Sequence, residues 1–193
     1  MKKFLYLALA AAALLTGCDK DEQAKIESVK AKPKSEMKAI VVYFSATGTT
    51  RAKAETLAKL AEADIFEIVP ANLYTSADLN WHNDKSRSSV EMADKSSRPA
   101  ISGKLENLAD YDVVFLGFPI WWYIAPTIVN TFLEAHNFDG KIIIPFFTSG
   151  GSGAGETLKY LKPSAPKAVF TDPKNLTGAS NEEIQAWLDS LKK

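Results

Sequence analysis

Apolar positions in this chain gather into short unbroken runs, and the segments between the runs have helical period. Residues 39–44 read Ala-Ile-Val-Val-Tyr-Phe with no polar break. Residues 112–118 repeat the pattern through Val113, Val114, Phe115 and Leu116, and residues 141–147 repeat it through Ile142, Ile143 and Ile144. Runs this short and this uniformly apolar predict strands covered on both faces. Two weaker runs, 64–69 and 167–171, predict two more strands. After the first strand, Ala54, Leu57, Ala58 and Ala61 recur at i, i+3, i+4 and i+7, which predicts a helix. Pro126 suits the first position of a helix running to about His136. A short helix is expected over 155–161. Ser180 and Glu183 form a capping box ahead of a stripe made by Ile184, Trp187, Leu188 and Leu191, so the chain should close on a helix. Residues 70–110 have weak period and make a long connection, with the polar stretch 83–98 helical in part. Strands alternating with helices predict an α/β fold, a three-layer doubly wound five-stranded parallel sheet. Ligands of such sheets bind beyond the carboxyl ends of the strands. The loops after strands one, three and four are therefore the places to look for chemistry.

The first 36 residues break this pattern. Lys2 and Lys3 precede an apolar stretch of about a dozen residues, too short to span a bilayer comfortably. Leu15, Thr16, Gly17 and Cys18 then resemble the bacterial lipobox, whose Cys is lipidated and becomes the new N-terminus. The resemblance implies a lipoprotein signal peptide over 1–17, a lipidated Cys18, and export with a lipid anchor to a bacterial membrane, on its periplasmic or outer face. Asp19 is similar to the inner-membrane retention signal of enteric bacteria, a rule that does not hold in all bacteria, so the membrane stays open. No Arg-Arg pair precedes the apolar stretch, which favours general secretion of an unfolded chain. Residues 18–36 are polar, mixed in charge and without aromatics, and are expected to form a disordered tether. The folded domain is expected over 37–193.

Composition narrows the function classes. Of 193 residues, 46% are hydrophobic and 24% charged, as in an ordinary globular protein. Net charge is zero, so nothing marks a nucleic-acid binder. Cys18 is the single Cys and His82 and His136 the two His, which argues against disulfides within the chain and against a metal site.

Three loops carry candidate chemistry. Ser45, Ala46, Thr47, Gly48, Thr49 and Thr50 lie between the first strand and the first helix. Four of these six bear hydroxyls, and a helix N-terminus adds unpaired N–H groups and a positive dipole end. No Lys or Arg lies inside the loop, and Arg51 is the first cation. This favours a monophosphate held by neutral donors; a plain turn with an N-cap at Thr49 or Thr50 is the alternative. The loop after strand three holds Pro119, Ile120, Trp121, Trp122 and Tyr123. Three consecutive aromatics cannot share one core, so at least one should stand near the surface or a ligand, where a flat ring would stack. The loop after strand four, Thr148, Ser149, Gly150, Gly151, Ser152 and Gly153, lets the backbone approach a ligand, or is simply flexible. In the long connection, Trp81 either reaches the ligand or packs. The P-loop and the G-x-G-x-x-G fingerprint are absent. Ser152 sits in a near-match to G-x-S-x-G, but no His follows it, which argues against a serine hydrolase.

With these loops in place, residues 39 to the end resemble the flavodoxin-like family. Its first loop has the form [ST]-x-T-G-x-T, matched by residues 45–50. The resemblance implies FMN as cofactor, with the phosphate on 45–50 and the ring flanked by 119–123 and 148–153. It also implies the strand order 2-1-3-4-5 and no catalytic side chain, and the short connection from Asp172 to Ala179 ahead of the last helix points to the short-chain type, without an insertion splitting strand five. There are two departures. No Gly lies between Pro119 and Pro126, where many flavodoxins have a flexible peptide that turns toward flavin N5. The charge is also unlike the strongly acidic carriers: without Lys2 and Lys3 the chain has 21 basic against 23 acidic residues. The implied function is electron transfer at the membrane, with a redox protein or a quinone as partner. The segment 118–122 with Pro126 and Phe132 is also similar to NAD(P)H:quinone reductases. Export argues against that nicotinamide half-reaction and makes the carrier the favoured reading. A non-redox flavin-binding module is the remaining alternative.

Overall fold

The computed structural model describes residues 37–192. The expected signal peptide over 1–17, the lipidated Cys18 and the tether over 18–36 lie outside the described residues.

Among the described residues the α-helices are α1 (Thr49–Ala61), α2 (Arg87–Ala93), α3 (Thr127–Glu134), α4 (Thr157–Leu161) and α5 (Asn181–Ser190). The main strands are β1 (Ala39–Tyr43), β2 (Asp64–Glu67), β5 (Val113–Pro119) and β6 (Ile142–Thr148). They pair in parallel in the order β2-β1-β5-β6, with β7 (Val169–Phe170) beyond β6. This is the expected order, since β5, β6 and β7 are the third, fourth and fifth strands expected from the sequence.

Period-two alternation sorts the strand side chains onto two faces. Val41, Tyr43, Val113 and Phe115 meet Ala54, Leu57 and Ala58 of α1 and Ile184 and Leu188 of α5. Ile40, Val42, Val114, Leu116 and Phe118 meet Ile128, Val129, Phe132 and Leu133 of α3. Uniformly apolar runs thus become the middle layer of three. Gly117 makes room on one face: a Cβ there would lie 2.2 Å from the Phe146 ring.

Several boundaries depart from the pattern-based expectation. The second strand stops at Glu67; the Ile68 N–H donates to the Tyr43 carbonyl at 2.7 Å. The chain then leaves the sheet, and β3 (Val69–Pro70) pairs antiparallel with β4 (Ile101–Ser102). That small ladder closes the long connection at its base. The fifth strand comes in two pieces. β7 pairs with Ile142 and Ile143, and β8 (Lys174–Asn175) pairs with Phe146 and Phe147. Pro173 has no N–H to offer a ladder, so the chain detours between the pieces. The first helix is capped by Gly48 at φ 89°, with no side-chain cap from Thr49 or Thr50. Pro126 is the cap of α3 and not its first residue. The capping box of Ser180 and Glu183 is formed.

Candidate functional site

The first loop leaves β1 at the carboxyl end of the sheet. Gly48 takes the left-handed conformation that turns the chain into α1, and its N–H donates to Ser45 Oγ at 3.1 Å. The Thr47 and Thr49 hydroxyls lie 3.3 Å apart. The first N–H groups of α1 have no acceptor within the helix. Arg51 turns to the sheet edge: it pairs with Glu67, and its Nε donates to the Tyr43 hydroxyl at 3.3 Å. The cradle is therefore built from hydroxyls, backbone N–H groups and the helix dipole. Such a cradle suits a singly attached phosphate.

Thr50 is buried and its Oγ1 lies 2.8 Å from Oγ1 of Thr148 at the end of β6. This bond joins the first loop to the third. Beyond it, the Ser149 N–H donates to Thr177 Oγ1, the Ser149 hydroxyl to the Ser152 carbonyl, and the Gly151 N–H to Ser149 Oγ. The glycine loop thus closes on itself.

The aromatic loop is a two-residue hairpin. The Trp121 N–H donates to the Ile124 carbonyl at 2.9 Å and the Ile124 N–H returns to the Trp121 carbonyl at 3.1 Å. Trp122 and Tyr123 fill the turn at φ 44° and 66°. Such turns usually take Asn-Gly, because both central residues need positive φ. L-residues there carry roughly 1–2 kcal/mol of strain each. The three aromatics diverge as their spacing demands. Trp121 packs edge-on against Phe44 and Tyr74, at 5.6 and 5.3 Å between ring centroids. Trp122 and Tyr123 point outward, 41% and 70% exposed. Gly155 backs the turn: a Cβ on it would lie 2.2 Å from the Tyr123 carbonyl oxygen.

These loops border a cleft of about 470 Å3. One wall is Ser45, Ala46, Thr47 and Thr50; another is Pro119 through Tyr123. Gly48 and Thr49 belong to the cradle but not to this lining, and Thr148 stands behind it, bonded to Thr50. Among the described residues, 149–153 also lie outside the lining. A third wall comes from the long connection, through Leu79, Trp81 and Ser88. Trp81 stands on the rim, 66% exposed, its ring stacked on His82. Leu79 and Ser88 have no signal in the sequence, where they sit in polar segments without period.

Charged and aromatic contacts hold that third wall. The Tyr74 hydroxyl donates to Glu91, which pairs with Arg87 at 2.7 Å, and Arg87 lies over the Tyr74 ring at 4.0 Å. Burial, and then the bond to Glu91, push the Tyr74 hydroxyl far above its usual pKa. Asp78 accepts from the Thr75 N–H and hydroxyl, which holds its carboxyl below the usual range. His136 is a structural residue: Nε2 accepts from the Leu105 N–H at 3.1 Å, and Nδ1 faces the Phe132 carbonyl at 2.8 Å. Among the described residues no group of three His, Cys, Asp or Glu could hold a metal ion.

A cradle of neutral hydroxyl and N–H donors opening into an aromatic cleft has the chemistry that would suit a phosphorylated planar molecule at the carboxyl edge of a doubly wound sheet. Residues 38–191 match the flavodoxin family model, and the chain belongs to that family. A Bacteroides eggerthii protein of known structure is 49% identical, with a TM-score of 0.77 over 82% of this chain and 99% of its own. A Bacteroides uniformis protein is 48% identical, with a TM-score of 0.76 over 79% and 98%. A Lactobacillus acidophilus flavoprotein, solved in complex with FMN, shares the fold at 17% identity and a TM-score of 0.62, over 81% and 99%. No curated protein matches the chain.

Proposed function

We propose that this protein binds FMN and carries electrons at the surface of a bacterial membrane, held there through a lipidated Cys18. The juxtaposition of the neutral cradle at 45–50 with the aromatic cleft carries the reading. Family membership and the FMN complex of the Lactobacillus acidophilus neighbour support the cofactor. The lipobox-like run ending at Cys18 supports the anchor.

FMN, when bound, supplies the redox chemistry, passing electrons singly or in pairs. The residues of this chain do the rest. Ser45, Thr47 and Thr49 offer hydroxyls to the phosphate, joined by the first N–H groups of α1. Pro119 to Tyr123, which line the cleft, would shield the ring from water. Trp122 and Tyr123, exposed at the cleft mouth, are the surface through which a redox protein or a quinone would approach.

The test is a visible absorption spectrum of the purified protein before and after adding FMN. Flavin bands are expected, and their absence after reconstitution would overturn the reading. An apolar, aromatic wall disfavours added negative charge on the ring. The second reduction potential should therefore lie below that of free FMN; a potentiometric value well above it would count against this. Steady-state NAD(P)H oxidation with added quinone should be negligible, and brisk turnover would favour the quinone reductase.

A further inference from the structure

One polar group in the cleft is unused by the reading above. Ser88, the second residue of α2, is 2% exposed and lines the cleft. Among the described residues its Oγ has no hydrogen-bond partner. Its neighbours are satisfied. Ser86 caps α2 by accepting from the Ser89 N–H, and the Ser86 hydroxyl donates to Ser89 Oγ at 2.8 Å. The Ser88 N–H donates to the Asp78 carbonyl at 2.9 Å, which fixes the residue against the turn carrying Leu79 and Trp81. A buried hydroxyl without a partner is destabilising in the free protein, and native structures hold few of them. The residue that carries this unpartnered atom belongs to the wall of the cleft and not to a dry core.

We propose that the Ser88 hydroxyl is a hydrogen-bond partner of the bound flavin, at a part of the molecule other than its phosphate. The inference rests on the FMN reading. It makes the connection between β3 and β4 a wall of the cofactor site and not a surface excursion. The phosphate has its own donors in the first loop: three hydroxyls and the α1 N–H groups. Ser88 comes from a different element, held by the same connection whose Tyr74 packs edge-on against Trp121 of the aromatic wall. The flavin ring and ribityl chain carry carbonyl, imine and hydroxyl groups that accept from a serine or donate to it. Exclusion of water from the position strengthens such a bond.

The experiment compares the full chain with Ser88→Ala. Dissociation constants for FMN and for riboflavin, which lacks the phosphate, are read from flavin fluorescence, and the melting temperature is read without flavin. Both constants should rise by the same factor, roughly tenfold for one buried hydrogen bond. The flavin-free melting temperature should hold or rise, since no protein group loses a partner. Ser88→Cys, a conservative replacement, should recover part of the affinity.

Unchanged affinity in Ser88→Ala, with the wild type binding FMN, would overturn the inference and leave the FMN reading standing. Loss confined to FMN would place the hydroxyl at the phosphate and overturn it too. A flavin-free variant that melts earlier or fails to fold would make Ser88 a structural residue and would likewise overturn the inference. A wild type that binds neither flavin would overturn both readings.

Discussion

Trp122 and Tyr123 hold two consecutive left-handed conformations without a glycine between Pro119 and Pro126. The turn survives because the surroundings fix it: Trp121 is wedged between Phe44 and Tyr74, and Gly155 seats the Tyr123 carbonyl. Tyr123→Gly should therefore stabilise the flavin-free protein by up to about 1 kcal/mol, read from denaturant unfolding. A loss of stability would mean that contacts of the ring outweigh the backbone strain. Gly155→Ala should destabilise by roughly 1–3 kcal/mol, because the new methyl meets a backbone oxygen and not a flexible side-chain end. None of this backbone geometry was legible in the sequence. Trp-Tyr has no turn signature of the Asn-Gly kind, and the positive φ values follow from packing on either side. The aromatic divergence itself was legible, since neighbouring side chains must part.

Elements were legible where one period dominated. β1, β5 and β6 are buried on both faces and read as apolar runs, and α1 and α5 present stripes. Legibility failed where backbone chemistry outweighed period. Gly48 took the cap from Thr49 and Thr50, and Pro173 split the fifth strand. The long connection lacked any period, so α2 and the β3–β4 ladder were indistinct and the cleft residues Leu79 and Ser88 were invisible. At this scale the Thr50–Thr148 bond links two loops that are 98 residues apart. Thr148→Val leaves the Thr50 hydroxyl buried and unpaired and should cost about 1–3 kcal/mol in chemical denaturation. The double replacement with Thr50→Val should be less destabilising than the sum of the two single changes. Additive losses would show that the hydroxyls do not depend on each other.

For the whole molecule, stability at high pH hinges on tyrosines. Burial is the first cause raising the pKa of Tyr43, Tyr74 and Tyr111, the last from 10.0 to about 12. Their unfolded counterparts ionise near the ordinary value while the folded groups keep their protons. Stability from these groups is thus complete below pH 10 and is lost as pH rises through the folded values. A spectrophotometric titration should find Tyr43, Tyr74 and Tyr111 keeping their protons above the ordinary value of 10.0, and ionising in step with unfolding. Normal ionisation of all of them in the folded protein would sink the idea. Acid acts through Glu134, whose carboxyl the Arg98 guanidinium, bonded at 2.8 Å, holds below its usual pKa. Its contribution is present above the unfolded pKa and fades as pH falls through the folded one. The effect is small, since both partners are partly exposed.

The break in the fifth strand also bears on how copies of this chain meet. An open parallel sheet has two rims, and a long flat rim invites another chain to add a strand. Here one rim consists of two-residue pieces set apart by Pro173, too short to template a partner. The other, β2, carries Asp64 and Glu67 at its ends, paired with Lys38 and Arg51, so an incoming strand would meet charge at both. Restoring a continuous rim by replacing Pro173 with a β-branched residue is expected to promote self-association, visible as concentration-dependent light scattering. Solubility, by this account, depends in part on one imino acid at the rim of the sheet.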